Sequence, residues 1–322
     1  MKPGFGVWLV CLICGFAWLA PAQAQYPTRS IRFILPFPPG GGTDTMGRAI
    51  GNRLGEALGQ QIVIDNRGGG GANIGAELAA KSPPDGYTLF MMTVTHTVNA
   101  TLYRNLGYDL AKDFAPVSHL GGTAYVVVVH PSIPANSIKE LIALVKSRPG
   151  EITHSSSGSG SGPHLAGELF KSMTGTWMLH IPYKGGGPSV IALVSGEAAV
   201  GFTTTPSCIF QIKAGRLRGL AVSSAQRSSF LPDLPTVAET GVPGYETTAW
   251  YGMAVPTGTP TEIIARLNAE TAKALTLPDV KSRLDATGMV PQSSSPEELG
   301  RHMHDEIAKW AKIVKALGLT VD

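Results

Sequence analysis

From residue 30 onward, short apolar runs alternate with longer stretches of helical periodicity. That alternation restricts the chain to an α/β fold built from βα units. A first series places strands at residues 31–35, 61–65 and 87–93. The helix between the first two runs over 45–58, with Met46, Ile50, Leu54 and Leu58 on one face and Gly59 as its stop. Another helix carries Ile74 and Leu78. A second series has strands at 125–129, 152–155, 178–181, 199–202 and 217–222. Its helices are one behind a Ser137/Glu140 capping box, one opened by His164 and carrying Leu165, Leu169 and Met173, and two at 190–194 and 209–214. A stretch rich in Pro, Gly and Ser, 226–246, leads to a strand at 248–255 that crosses back toward the first series. Helices at 260–275 and 278–286 follow. The last helix is capped by Ser295, starts at Pro296 and closes its box with Glu298; Leu299, Met303, Ile307, Trp310, Val314 and Leu317 face one way and Gly318 ends it. Two lobes are expected, the first over 25–122 and completed by part of 248–322, the second over 123–247, with the crossing strand and C-terminal helices in 248–322.

In mostly parallel sheets ligands bind beyond the carboxyl ends of the strands, so the strand-to-helix loops are where function is sought. The composition points to the same loops. Only 15% of residues are charged although 43% are hydrophobic, which excludes disorder, and 39 are glycine. The 26 Lys and Arg are scattered among 23 Asp and Glu, giving a net charge of +3, too weak and too dispersed a basic character for a nucleic-acid or anionic-membrane partner.

The first 24 residues read as a secretory signal peptide: Lys2, an apolar core over residues 7–19, and Ala22-Gln23-Ala24 as the cleavage site. Export is therefore expected, and because no later apolar stretch is long enough to span a membrane the mature protein is expected to be soluble; the expected location is the periplasm and the expected state a monomer. The C-x-x-C of Cys11 and Cys14 falls in this leader, so it is no redox motif of the mature chain. Cys208 then remains alone, as a small buried hydrophobe.

Three strand-to-helix loops are glycine-rich. Pro36-Phe37-Pro38-Pro39-Gly40-Gly41-Gly42-Thr43-Asp44 brings backbone amides, a hydroxyl and a helix N-terminus together, with Asp44 as the expected N-cap. The loop from Ser155 through Ser156, Ser157, Gly158, Ser159, Gly160, Ser161, Gly162 and Pro163 to His164 is lined with hydroxyls. Tyr183-Lys184-Gly185-Gly186-Gly187-Pro188 is the third. Hydroxyls and amides without a fixed cation suit a carboxylate; a phosphate is the competing ligand, and tight turns with no ligand are the plain alternative. Neither G-x-x-x-x-G-K-[ST] nor G-x-G-x-x-G occurs, which argues against a nucleotide, and no cofactor is expected. Thr95 and His96 lie just past the strand ending at Thr93 and are expected to face the same cleft. His164 is either a cap or a ligand contact, and Tyr183 and Trp250 either wall the cleft or fill the core.

Catalysis has weaker signals. Ser159 and Ser161 lack the G-x-S-x-G offsets and a marked triad partner, which leaves an exported serine hydrolase as a minor alternative. His302, His304, Asp305 and Glu306 on the last helix lack metal-site spacing and read as a solvated face.

Seven blocks occur in order: PFPPGGGTD (36–44), DNRGGGGANIG (65–75), PDGYTL (84–89), DFAPV (113–117), HLAGELF (164–170), YKGGGP (183–188) and LPTVAETG (234–241). In these the chain resembles the Bug-type extracytoplasmic solute receptors, the binding proteins of tripartite tricarboxylate transporters. The resemblance implies a two-lobe periplasmic-binding-protein (Venus-flytrap) fold that closes on a small organic or aromatic carboxylate. It also implies that Gly40, Gly41, Gly42, Thr43 and Asp44 grip that carboxylate from one lobe and Ser156, Ser157, Gly158, Ser159 and Ser161 from the other, partly through water. The partner it implies is a membrane permease, or a sensor if the receptor signals. Where the family often has an acidic residue followed by Asn, this chain has Thr203 and Thr204, which weakens the case for a ligand ammonium.

Overall fold

The computed structural model describes residues 26–321; the expected leader, with Cys11 and Cys14, lies outside them. In chain order the elements are β1 (Ile31–Leu35), α1 (Gly42–Leu58), β2 (Ile62–Asn66), α2 (Asn73–Ala80), β3 (Thr88–Thr93), α3 (Val94–Leu102) and β4 (Phe114–Val129). Then come α4 (Ile138–Ser147), β5 (Thr153–Ser156), α5 (Gly162–Thr174), β6 (Leu179–Pro182), α6 (Gly186–Val194), β7 (Val200–Thr204), α7 (Thr205–Lys213) and β8 (Arg218–Val222). The chain ends with β9 (Thr248–Pro256), α8 (Thr261–Thr276), α9 (Pro278–Asp285), β10 (Val290–Pro291) and α10 (Pro296–Ala316).

The strands follow one path, β2-β1-β3-β9-β4-β7-β5-β6, with β8 and β10 also on β4. β1 runs parallel to β2 and β3, and β5 runs parallel to β6 and β7. The two parallel groups are joined by antiparallel β9 and β4. Strand β4 belongs to both: Phe114 to Ala124 pair with β9, whereas Tyr125 to Val129 pair with β7 and Val126 to Val129 with β8. The sequence reading found only the last third of this strand. Pro116, His119 and the Gly121-Gly122 pair break its alternation, and the structure absorbs them as register shifts at Pro116/Ser118 and His119/Gly121.

Helices α1, α2 and α3 cover the first lobe, and α8, α9 and α10 pack there too, against α1, β4 and α3. Helix α3, with the sequence VTHTVNATL, was not expected, because Val and Thr are weak helix formers. A capping box between Thr93 and His96 and burial of Val94, Val98 and Leu102 impose it. Helix α10 follows its sequence closely. Ser295 and Glu298 cap each other, and Leu299, Met303, Trp310 and Val314 are buried, each contributing about 1.5–3 kcal/mol. Ile74 and Met173, expected on apolar helix faces, are instead exposed. Cys208 is buried and free. One apolar cluster runs through both lobes by way of Tyr125 on β4 and Tyr251 on β9. Among the described residues no helix is long and apolar enough to cross a membrane.

Candidate binding cleft

A cavity open to solvent lies where the two lobes meet. Five helices begin at its wall. Gly41, Gly42 and Thr43 belong to the start of α1, Thr93, Val94 and Thr95 to α3, Pro163 to α5, Gly186 to α6, and Thr204 and Ser207 to α7. The first amides of a helix have no partner within it and carry the positive end of its dipole. Among the described residues no side-chain cap occupies the start of α1, α6 or α7. No charged side chain lines the cavity among the described residues; Phe37, Tyr125, Phe202, Ala249, Trp250 and Tyr251 supply its apolar surface. Such a site attracts an anion through dipoles and hydroxyls and gives a cationic group nothing to pair with.

Two hydroxyls mark the spot more closely. Thr43 Oγ1 and the Tyr251 hydroxyl are buried and have no hydrogen-bond partner among the described residues. Orphaned buried hydroxyls are costly and call for an explanation, and a bound acceptor supplies one. Burial pushes the Tyr251 and Tyr125 hydroxyls well above the usual tyrosine range, so both keep their protons and remain donors. Each tyrosine reaches from a connecting strand to the first residue of a helix. A Cβ on Gly42 would stand 2.0 Å from the Tyr251 hydroxyl, and one on Gly162 would stand 1.9 Å from that of Tyr125. Only glycine fits at these two positions.

The lobes touch around the cleft. Gly162 N–H donates to Thr95 Oγ1 at 3.3 Å, and the Tyr103 hydroxyl donates to the Ser159 carbonyl at 3.3 Å. Of the residues singled out from sequence, Gly41, Gly42, Thr43, Thr95, Ser157, Thr203 and Thr204 line the cavity. The other expected ligand contacts are not in its wall. Asp44 is the third residue of α1 rather than its N-cap, which is Gly41. Its carboxylate accepts from Gly40 N–H, Arg48 and Asn66, and so braces the loop. His96 does not face the cleft, because its Nδ1 accepts the Thr93 N–H at 3.0 Å and its ring packs edge-on against Phe90. Ser156 accepts the Gly158 N–H and His164 the Gly160 N–H within the serine loop, Ser159 meets Tyr103 through its carbonyl, and Ser161 caps α5. The Tyr183 hydroxyl turns to Glu197.

Sequence reasoning missed Tyr125 and Tyr251, which alternate within apolar strands and carry no local signal, and Ser189 and Ser207, which sit inside helices. Trp250 lines the cleft. The His302 face is not solvated as expected: Glu306 accepts the indole N–H groups of Trp250 and Trp310 at 3.3 and 2.9 Å, and the His302 ring packs edge-on to Trp250. His304 and Asp305 are exposed. Among the described residues no cluster of His, Cys, Asp and Glu could hold a metal ion.

The chain is similar to known proteins over most of its length. The model of the tripartite tricarboxylate transporter family receptor matches residues 46–319. Protein BugT of Bordetella pertussis strain Tohama I is 38% identical over 302 residues, covering 93% of each chain. The adipate-bound structure of R. palustris Rpa4515 is 41% identical with a TM-score of 0.89, over 92% of this chain and 99% of that one. MatC of Rhodopseudomonas palustris, with bound malate, is 29% identical with a TM-score of 0.86, over 90% and 100%. The fold is the two-lobe α/β fold of periplasmic binding proteins. Family and fold are those of substrate-binding receptors, and the chain belongs to the tripartite tricarboxylate transporter receptor family.

Proposed function

We propose that this protein is a periplasmic receptor that captures a small organic or aromatic carboxylate between its lobes and delivers it to a membrane permease. One observation carries the reading: five helix N-termini converge on a cavity with no charged side chain in its wall among the described residues. A carboxylate gains hydrogen bonds and dipole attraction there, while the threonines at 203 and 204 offer a ligand ammonium no counter-charge. Adipate and malate in the similar proteins are ligands of this chemistry. The leader read from the sequence supports export, and the family supports a membrane partner.

Thermal or chemical unfolding in the presence of a panel containing adipate, malate and aromatic acids tests the reading. An acid at 100 times its dissociation constant is expected to add about 2.7 kcal/mol. Thr43→Ala and Tyr251→Phe should each weaken that acid by about 1–3 kcal/mol, roughly 5- to 150-fold. Because each substitution removes an orphaned buried hydroxyl, the ligand-free variants should be no less stable than the parent. No stabilisation by any acid in the panel, or unchanged affinity in both variants, would remove the assignment.

A further inference from the structure

We propose that His164 and His180 are positioning residues that hold the serine loop in its binding shape, and that protonation of the histidine stack they belong to loosens that loop. The loop leaves β5 at Ser156 and enters α5 at Gly162, and Ser157 within it lines the cleft. Its two bends turn at Gly158 and Gly160, both with positive φ. A histidine secures each bend. His180 Nε2 lies 2.7 Å from Ser156 Oγ, which in turn accepts the Gly158 N–H at 3.2 Å. His164 Nδ1 accepts the Gly160 N–H at 3.1 Å.

These rings form a stack. The His164 and His180 centroids are 4.0 Å apart, and His154 stacks with His180 at 4.8 Å. The groups facing the stack come from every neighbouring element. Strand β5 contributes His154 and Ser156, and β6 contributes His180. Helix α5 contributes His164, Glu168 and Lys171, and β7 contributes the uncharged Phe202. Glu168 Oε1 is 3.5 Å from the Nε2 atoms of both His154 and His164, but it is 2.7 Å from Lys171 Nζ and so already committed to a cation.

The hydrogen bonds fix the proton positions. His164 Nδ1 must present a lone pair to Gly160, so the neutral ring carries its hydrogen on Nε2, toward Glu168. A second proton has only Nδ1 to occupy, where it would meet the Gly160 N–H donor to donor and expel it. Charge on two rings stacked at 4.0 Å is also self-repelling. Burial, then His164 and His154, hold His180 neutral down to about 2; burial likewise pulls His154 down. With a lone pair on His164 Nδ1 the loop is held; a proton placed there releases the loop and a wall of the cleft with it.

The proposal rests on the carboxylate reading only in treating the loop as a ligand-binding element, so its test uses the ligand-free protein. Nitrogen-15 NMR of the histidines should find the neutral form of His164 as the Nε2–H tautomer. Protection of the Gly158 and Gly160 amides, normalised to intrinsic exchange and to α1 amides, should fall with acidity by up to about tenfold per pH unit, the limit for one linked proton. His164→Asn, which keeps a non-titrating acceptor near the Nδ1 place, should retain protection and flatten that profile. His164→Leu should lose protection at every pH. An Nδ1–H tautomer, or a His164→Asn profile identical to the parent's, would overturn the proposal, and both readouts survive if the leucine variant does not fold. A panel of acids that all fail to bind would leave the loop result standing, and a flat loop profile would leave the panel result standing.

Discussion

Gly42→Ala is expected to destabilise the protein by about 3 kcal/mol, lowering its melting temperature by about 5 °C, and to abolish measurable ligand binding. Helix propensity alone forecasts the opposite, since alanine within a helix is favoured over glycine by about 1 kcal/mol. The deciding fact is the neighbour. The added Cβ would lie 2.0 Å from the Tyr251 hydroxyl and 2.9 Å from Cζ, and Tyr251 is held in β9 between β3 and β4 with 3% of its surface exposed. The tyrosine cannot swing away without disturbing the strand, so α1 must retreat and take its amides out of the cleft. Gly41→Ala is the control, because the nearest atom to its Cβ is 3.9 Å away, and its cost should stay within about 1 kcal/mol. Adding Tyr251→Phe to Gly42→Ala should restore part of the stability, since the closest atom is gone while Cζ remains. Equal unfolding curves for the two alanine variants would disprove this packing.

Acid should weaken the fold well before its carboxylates are protonated. Burial pulls His96 down to about 4 and, aided by His164 and His154, His180 down to about 2. In the unfolded chain a histidine takes up its proton near pH 6.5. Between that value and the folded-state values the unfolded chain holds more protons, so stability is full above about pH 6.5 and is lost as the pH falls. Each histidine contributes up to about 1.4 kcal/mol per pH unit, and these two together roughly 4–5 kcal/mol between about pH 6.5 and 4.5. Glu168 adds a later loss. Burial works against its ionisation, but the imidazoles of His154 and His164 and the ammonium of Lys171 outweigh that and hold its carboxyl well below the usual range. Its contribution is therefore present above about pH 4.5 and lost below. Urea unfolding at a series of pH values measures the slope; a flat stability between pH 6.5 and 4.5 would contradict the neutral burial of His96 and His180.

What could be read in advance was what local chemistry dictates. The Ser295/Glu298 box, the α1 and serine loops and the apolar spacing of α10 all depend on residues within a few positions of one another. Strand β4 could not be read through Pro116 to Gly122, because its continuity comes from pairing with β9, more than a hundred residues further along the chain. Helix α3 was hidden by its β-branched residues, and its cap uses a histidine where glutamate is the familiar partner. Asp44 has the composition of an N-cap, yet the chain begins its helix at Gly42, where the lack of a side chain admits Tyr251. Tyr125 and Tyr251 show the limit most clearly. As strand residues they look like core, and both belong to the core cluster; they reach the cleft wall as well only because β4 and β9 connect the lobes.

Under the proposed function, low charge and abundant glycine serve one end: a cleft that would hold an anion by amides, dipoles and hydroxyls. Calorimetric titration of the protein with the most stabilising acid of the panel, beside the neutral amide of the same acid, tests that claim most directly. Saturable one-to-one binding of the acid, with the amide weaker by at least about 100-fold and the acid itself lost in Gly42→Ala, is the predicted result, being the roughly 2.7 kcal/mol expected when a charged hydrogen-bonding group is removed. Equal binding of acid and amide, or undiminished binding of the acid by Gly42→Ala, would contradict it.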